Sequence, residues 1–158
     1  MSIFIIPKEI EVKQMLGMLY DDGLTVQSAA ALPTESGSKS LVALYIDDDD
    51  QPVTACACDY SFTAFAGAAL TKIPKGGAED AASSGDFSEM MLNNLNEVMN
   101  ICSRLLMSNS SPHLRLDKTI PISEAEAAIS GSGADTTSVG FSVNIPSYGN
   151  GQLLFRVS

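Results

Sequence analysis

Ser88-Glu89-Met90-Met91-Leu92-Asn93-Asn94-Leu95-Asn96-Glu97-Val98-Met99-Asn100-Ile101-Cys102-Ser103-Arg104-Leu105-Leu106 is the stretch on which the fold turns. At about 100° per residue its side chains sort into two faces. Leu92, Leu95, Met99, Cys102 and Leu106 lie together, flanked by Met91, Val98, Ile101 and Leu105, and this arc predicts a helix packed on a sheet. The opposite strip holds Glu89, Asn93, Asn96, Glu97, Asn100 and Arg104. Glu97 and Asn100 stand three residues apart, hence side by side on the outward face. Any solvated helix shows polar residues on its outer side. Asparagine, however, competes with the backbone for hydrogen bonds and is a poor helix former. Four of them (Asn93, Asn94, Asn96 and Asn100) within eight positions exceed what solvation requires. The helix is expected from near Ser88 to near Ser108.

Outward from this helix, the N-terminal side opens with an amphipathic segment, Pro7 to Tyr20, with proline at its first position and Ile10, Met15, Leu16 and Leu19 inward. A strand of mixed quality follows at Leu24 to Leu32, then a loop at 33–38. Leu41 to Ile46 and Val53 to Tyr60 read as a hairpin across the turn Asp47 to Asp50 and Gln51-Pro52. Ser61 would cap a short alanine-rich helix, Phe62 to Leu70, and residues 74–86, rich in glycine, serine and charge, read as an exposed loop. On the C-terminal side, His113 to Ile122 reads as a strand with Leu114, Leu116 and Ile120 inward. An acidic turn around Glu124 to Ala128 and a Ser/Gly loop at 130–135 follow. Val139, Phe141, Val143 and Ile145 alternate along one strand face. Tyr148-Gly149-Asn150-Gly151 is turn chemistry, and Leu153 to Val157 a last strand. No internal repeat is visible. The order α-β-β-β-α-α-β-β-β predicts an antiparallel-rich α+β domain spanning residues 1–158.

Composition narrows the function classes. With 9 Lys+Arg against 19 Asp+Glu the formal net charge is −10. A nucleic-acid binder needs basic stripes, and so does a protein drawn to an anionic membrane surface, so neither partner is expected. No run approaches the ~20 apolar residues of a membrane span, and the N-terminal Met1 to Pro7 is too short and lacks the basic flank of a secretory signal. Cys56, Cys58 and Cys102 are odd in number and contain no C-x-x-C pair, which fits a reducing cytoplasm better than a disulfide framework or a zinc ribbon.

Glu97-Val98-Met99-Asn100 matches the E-x-x-N signature of the CheC/CheX/FliY chemotaxis phosphatase family. The order of elements around it resembles that family over essentially the whole chain: an N-terminal helix, a strand hairpin, a short helix, the long motif-bearing helix and three further strands. One copy of the motif, rather than two, is similar to CheX more than to CheC. The resemblance implies a CheX-like α+β fold, with long helices packed against the sheet. It implies hydrolysis of the aspartyl phosphate on a CheY-type response regulator, with Asn100 orienting the attacking water and Glu97 pairing with a partner lysine. It implies no cofactor or metal on this chain, the magnesium belonging to the partner receiver domain. Asn93, Asn96 and Arg104, on the same strip, become candidate partner contacts. Where the family often carries small residues after the asparagine, this chain has Ile101-Cys102-Ser103-Arg104, and Arg104 either holds phosphate or obstructs docking. The alternative is a CheX-like module that docks a receiver or a flagellar partner without catalysis. The family also suggests homodimers formed by pairing sheet edges, with Leu153 to Val157 a candidate edge.

Other constellations read as structure. Asp47 to Asp50 lacks the alternating ligands and terminal glutamate of a calcium loop. Cys56 and Cys58 share one strand face as small buried hydrophobes. His113 is the only histidine, which rules out a His-rich metal site. No G-x-S-x-G supports a hydrolase triad, and Gly131-Ser132-Gly133 is not followed by the G-K-[ST] of a phosphate loop.

Overall fold

The computed structural model describes residues 4–21, 23–29, 40–122, 124 and 137–157. Among these the order is α1 (Glu9–Leu19), β1 (Thr25–Ala29), β2 (Ser40–Ile46), β3 (Pro52–Asp59), α2 (Tyr60–Leu70), α3 (Lys75–Ser84), α4 (Glu89–Cys102), a 3₁₀ turn (Ser103–Leu105), β4 (Arg115–Pro121), β5 (Thr137–Ile145) and β6 (Gly149–Val157). The expected loops at 33–38 and 130–135 lie outside the described residues, as does the turn at Glu124 to Ala128 beyond its first residue.

The strands form one antiparallel sheet in the order β1-β5-β6-β3-β2-β4. Its helix-covered face carries the main core: Ala43 and Tyr45 of β2, Cys56 and Cys58 of β3, Phe141 and Val143 of β5, and Leu153 and Phe155 of β6. These meet Val12 and Leu16 of α1, Phe62 and Ala66 of α2, and Leu95 and Met99 of α4. The alternate residues Val42, Leu44, Ala55, Ala57 and Leu154, with Ile122, form a second buried cluster on the other face. β2 is buried along its whole length, which is why Leu41 to Ile46 reads as an unbroken apolar run and not as an alternating one.

The strand order contains a two-fold relation. Exchanging β1 with β4, β2 with β5 and β3 with β6 gives the same order read backwards. The chain is therefore two α-β-β-β units, α1-β1-β2-β3 and α4-β4-β5-β6, joined by α2 and α3. α1 packs on edge strand β1 as α4 packs on edge strand β4. This repeat is topological and leaves no trace in the residue pattern.

Several expectations need correction. Residues 74–86 are not a loop, because Lys75–Ser84 form α3, with Ala78 and Ala81 buried against the core. The α2 cap is Asp59, whose carboxylate accepts from the Phe62 amide at 2.7 Å, and not Ser61. α1 starts after Lys8, whose amide donates to Glu11, so Pro7 precedes the helix. Val12 and Leu16 are its buried residues, while Ile10 is 57% exposed. α4 ends at Cys102, short of Ser108. Ile120 packs with the second cluster and not beside Leu114 and Leu116. Finally, β6 pairs with both β3 and β5, so Leu153 to Val157 is interior and cannot be a free edge.

Candidate functional site

α4 is set rigidly before any chemistry is considered. The Ser88 hydroxyl accepts from the Met91 amide at 3.1 Å, an N-cap that satisfies one otherwise orphaned donor. Met91, Leu95, Val98, Met99 and Cys102 are buried beneath the helix. On the side facing α2, Asn94 donates through Nδ2 to the Gly67 carbonyl at 2.8 Å and to Thr71 Oγ1 at 2.9 Å. The helices touch backbone to backbone there, since a Cβ on Gly67 would stand 2.6 Å from the Met91 carbonyl oxygen. One of the four asparagines is thus a cross-helix clamp.

The remaining polar strip faces outward. Asn93, Glu97 and Asn100 are exposed on α4, and Arg104 is exposed on the 3₁₀ turn beyond it. Asn96 is half-buried, and its Oδ1 is enclosed without a hydrogen-bond partner. Glu97 and Asn100 therefore share one exposed face a single turn apart.

Asn100 is the most constrained residue of this face. Its Oδ1 accepts from the Leu116 amide of edge strand β4 at 3.4 Å, and its carbonyl accepts from the Ser103 hydroxyl at 2.7 Å. One residue earlier, the Met99 carbonyl accepts from the hydroxyl of Tyr45 at 2.6 Å. Tyr45 is wholly buried, and burial holds its phenol protonated well above the usual tyrosine range. The Tyr45 and Leu116 contacts leave no signal in the sequence, because each joins residues far apart in the chain; only the Ser103 contact, three residues from Asn100, is local.

The arrangement offers a carboxylate, a carboxamide with its oxygen side against the strand, and a guanidinium, all reachable by a partner surface. Among the described residues no three His, Cys, Asp or Glu side chains gather as metal ligands, and no helix is long and apolar enough to cross a membrane. The three thiols are buried and free, and burial pushes that of Cys102 up to about 12. The aspartates of the β2–β3 turn serve structure: Asp47 Oδ1 accepts from the Asp49 and Gln51 amides, and Asp50 pairs with Arg115. A groove on α1 lined by Ile10, Lys13, Gln14, Gly17, Met18 and Leu24 shares no residue with the α4 face. α1, the topological counterpart of α4, has no E-x-x-N.

No family model matches the sequence, and no curated protein does. Solved structures do match in fold. FliY of Thermotoga maritima superposes with a TM-score of 0.59 at 11% identity, covering 92% of this chain and 81% of that one. The CheX-CheY-BeF3-Mg²⁺ complex from Borrelia burgdorferi matches with a TM-score of 0.56 at 12% identity, over 95% of this chain and 97% of that one. The FliM-SpeE complex from H. pylori matches with a TM-score of 0.61 at 10% identity, over 94% and 80%. The chain has the α+β fold shared by CheX and FliY, the fold that the E-x-x-N resemblance implies.

Proposed function

We propose that this chain is a CheX-like phosphatase that hydrolyses the aspartyl phosphate of a CheY-type response regulator. The observation that carries the reading is the pairing of exposed Glu97 and Asn100 one turn apart on a capped, rigid helix. It is supported by a fold shared with a CheX crystallised together with CheY, BeF3 and Mg²⁺.

The chemistry asked of the chain is modest. An acyl phosphate is already activated, so catalysis consists of placing a water in line and complementing charge. Water oxygen bonds to phosphorus, the bond from phosphorus to the aspartyl oxygen breaks, the receiver carboxylate leaves as its anion, and both water protons depart with the released phosphate as dihydrogen phosphate. Asn100 orients that water through its carboxamide, which needs no shifted pKa to donate or accept. Glu97 pairs with a lysine of the receiver and fixes the approach. Asn93, Asn96 and Arg104 surround this contact, and the magnesium is the receiver's own. Such a protein works in the cytoplasm, where buried thiols stay reduced.

The test is the decay of a panel of phosphorylated receivers with and without the protein. Asn100→Ala should lower the stimulated rate roughly 100-fold, the scale expected when one positioned polar group is removed, with binding kept. Glu97→Gln should instead weaken binding about tenfold. An Asn100→Ala protein that stimulates decay as well as the parent rules out this mechanism.

A second reading has its own support, because the same fold occurs in FliM crystallised with SpeE and with FliG. In that reading the chain docks a receiver or flagellar partner without hydrolysis. Saturable binding to a receiver with unchanged phosphoryl lifetime selects it.

A further inference from the structure

The contacts around Asn100 converge from one rung of the sheet. In the β2–β4 pairing Tyr45 stands opposite Leu116. The Tyr45 hydroxyl donates to the Met99 carbonyl, and the Leu116 amide donates to Asn100 Oδ1. The pairing slips between Leu44 and Tyr45, where Leu44 faces Lys118 and Tyr45 faces Leu116, leaving Asp117 as an extra residue. A bulge of this kind re-aims a strand, and it sits at the rung that meets Asn100.

The helix end explains why a side chain from the sheet is needed. In a continuing α-helix the Met99 carbonyl would accept from the Ser103 amide. Here that amide turns to the Asn100 carbonyl as the helix tightens into the 3₁₀ turn. The Met99 carbonyl lies in the interior, where an unpaired acceptor is costly, and the Tyr45 hydroxyl reaches it at 2.6 Å from a side chain with 0% exposure. Phenylalanine would fill the same space, so the hydroxyl is there for the carbonyl. The Ser103 hydroxyl closes the set on the Asn100 carbonyl at 2.7 Å.

We infer that Tyr45 is a positioning residue for Asn100: its hydroxyl fixes the last turn of α4 so that the carboxamide rests with Oδ1 against the Leu116 amide and its NH₂ turned away from the strand. This rests on the phosphatase reading for its consequence, though not for its geometry. The arrangement lets a partner meet an already oriented amide, avoiding the entropy of ordering it at the moment of docking.

The experiment uses the full chain and Tyr45→Phe, with two readouts. The first is single-turnover decay of a phosphorylated receiver over a range of protein concentrations. The second is ¹⁵N relaxation of the Asn100 side-chain amide in the free protein. Tyr45→Phe should lower the maximal rate about tenfold while the half-saturating concentration changes less than twofold, and the Asn100 amide should become mobile. A purely structural tyrosine would lower thermal stability and leave both readouts at parent values below the melting range, and that result overturns the inference. If the parent itself leaves receiver lifetimes unchanged, the phosphatase reading falls, and the relaxation data alone decide the positioning role. Should Tyr45→Phe fail to fold, the free parent decides: an Asn100 side-chain amide as mobile as that of exposed Asn93 overturns the inference, and a markedly more ordered one upholds it.

Discussion

Asn94 and Asn100 are the same residue six positions apart, and their partners give them opposite roles. Asn94 points into the α2 contact and spends both amide protons there. Asn100 faces solvent, with only its oxygen engaged. The excess of asparagine was legible as an anomaly in the sequence, but the division of labour was not, because Gly67, Thr71 and Leu116 are brought in by tertiary packing. Asp59 illustrates the same limit. It caps α2 and, through the same Oδ1, also accepts from the Gln152 amide at 3.1 Å, so one carboxylate ties a helix start to β6. Desolvation raises its pKa above 3.8, outweighing the two amide hydrogen bonds that lower it. The sign follows from linkage: the unfolded chain ionises Asp59 first, so stability is lost as pH rises from the unfolded value through the raised folded one. Asp59→Asn keeps an Oδ1 for both amides and does not titrate. The stability of Asp59→Asn relative to the parent should therefore increase from pH 3 to pH 7 in urea titrations. A difference that is flat with pH would show that Asp59 ionises alike in both states.

At the scale of elements, the long helix was the most legible part, since its cap at Ser88 and its apolar period are both local signals. α3 was illegible for the complementary reason. Gly76-Gly77 and, more weakly, Ser83-Ser84 oppose a helix by propensity, and the helix exists because Ala78 and Ala81 are small enough to be buried in the core. The contact between α2 and α4 is likewise a matter of size. Gly67 permits the approach that lets Asn94 reach its carbonyl, and a Cβ there meets backbone and not a side chain that could rotate away. Gly67→Ala should accordingly destabilise the protein by about 1–3 kcal/mol, the usual cost of overpacking, in spite of alanine's better helix propensity. Thermal unfolding followed by circular dichroism measures it. A variant at least as stable as the parent would mean that the helices do not touch there.

For the whole molecule, the strand order decides both which edges are open and how the two halves depend on each other. Among the described residues the edges are β1 and β4, so a sheet-edge homodimer must use one of them; β6, the strand that local reading put forward, is enclosed by β3 and β5. Non-local pairing decides that position, and no feature of Leu153 to Val157 announces it. The two α-β-β-β units are also interleaved: β1 of the first pairs with β5 of the second, and β4 of the second with β2 of the first. Neither unit owns both neighbours of its strands, and α2 from the linking segment lies on β6, with a Cβ on Gly151 standing 2.6 Å from the Phe62 nitrogen. The proposal that residues 1–158 act as one domain follows from this interleaving. Gly151→Ala, a change confined to the second unit, should lower the stability of α1 in the first unit as much as that of α4. Native-state hydrogen exchange of the most protected amides in each helix reads the two separately. Equal losses in both helices, on the order of 1–3 kcal/mol, are the expected result. A loss confined to α4 would make the units independent and refute the single-domain reading.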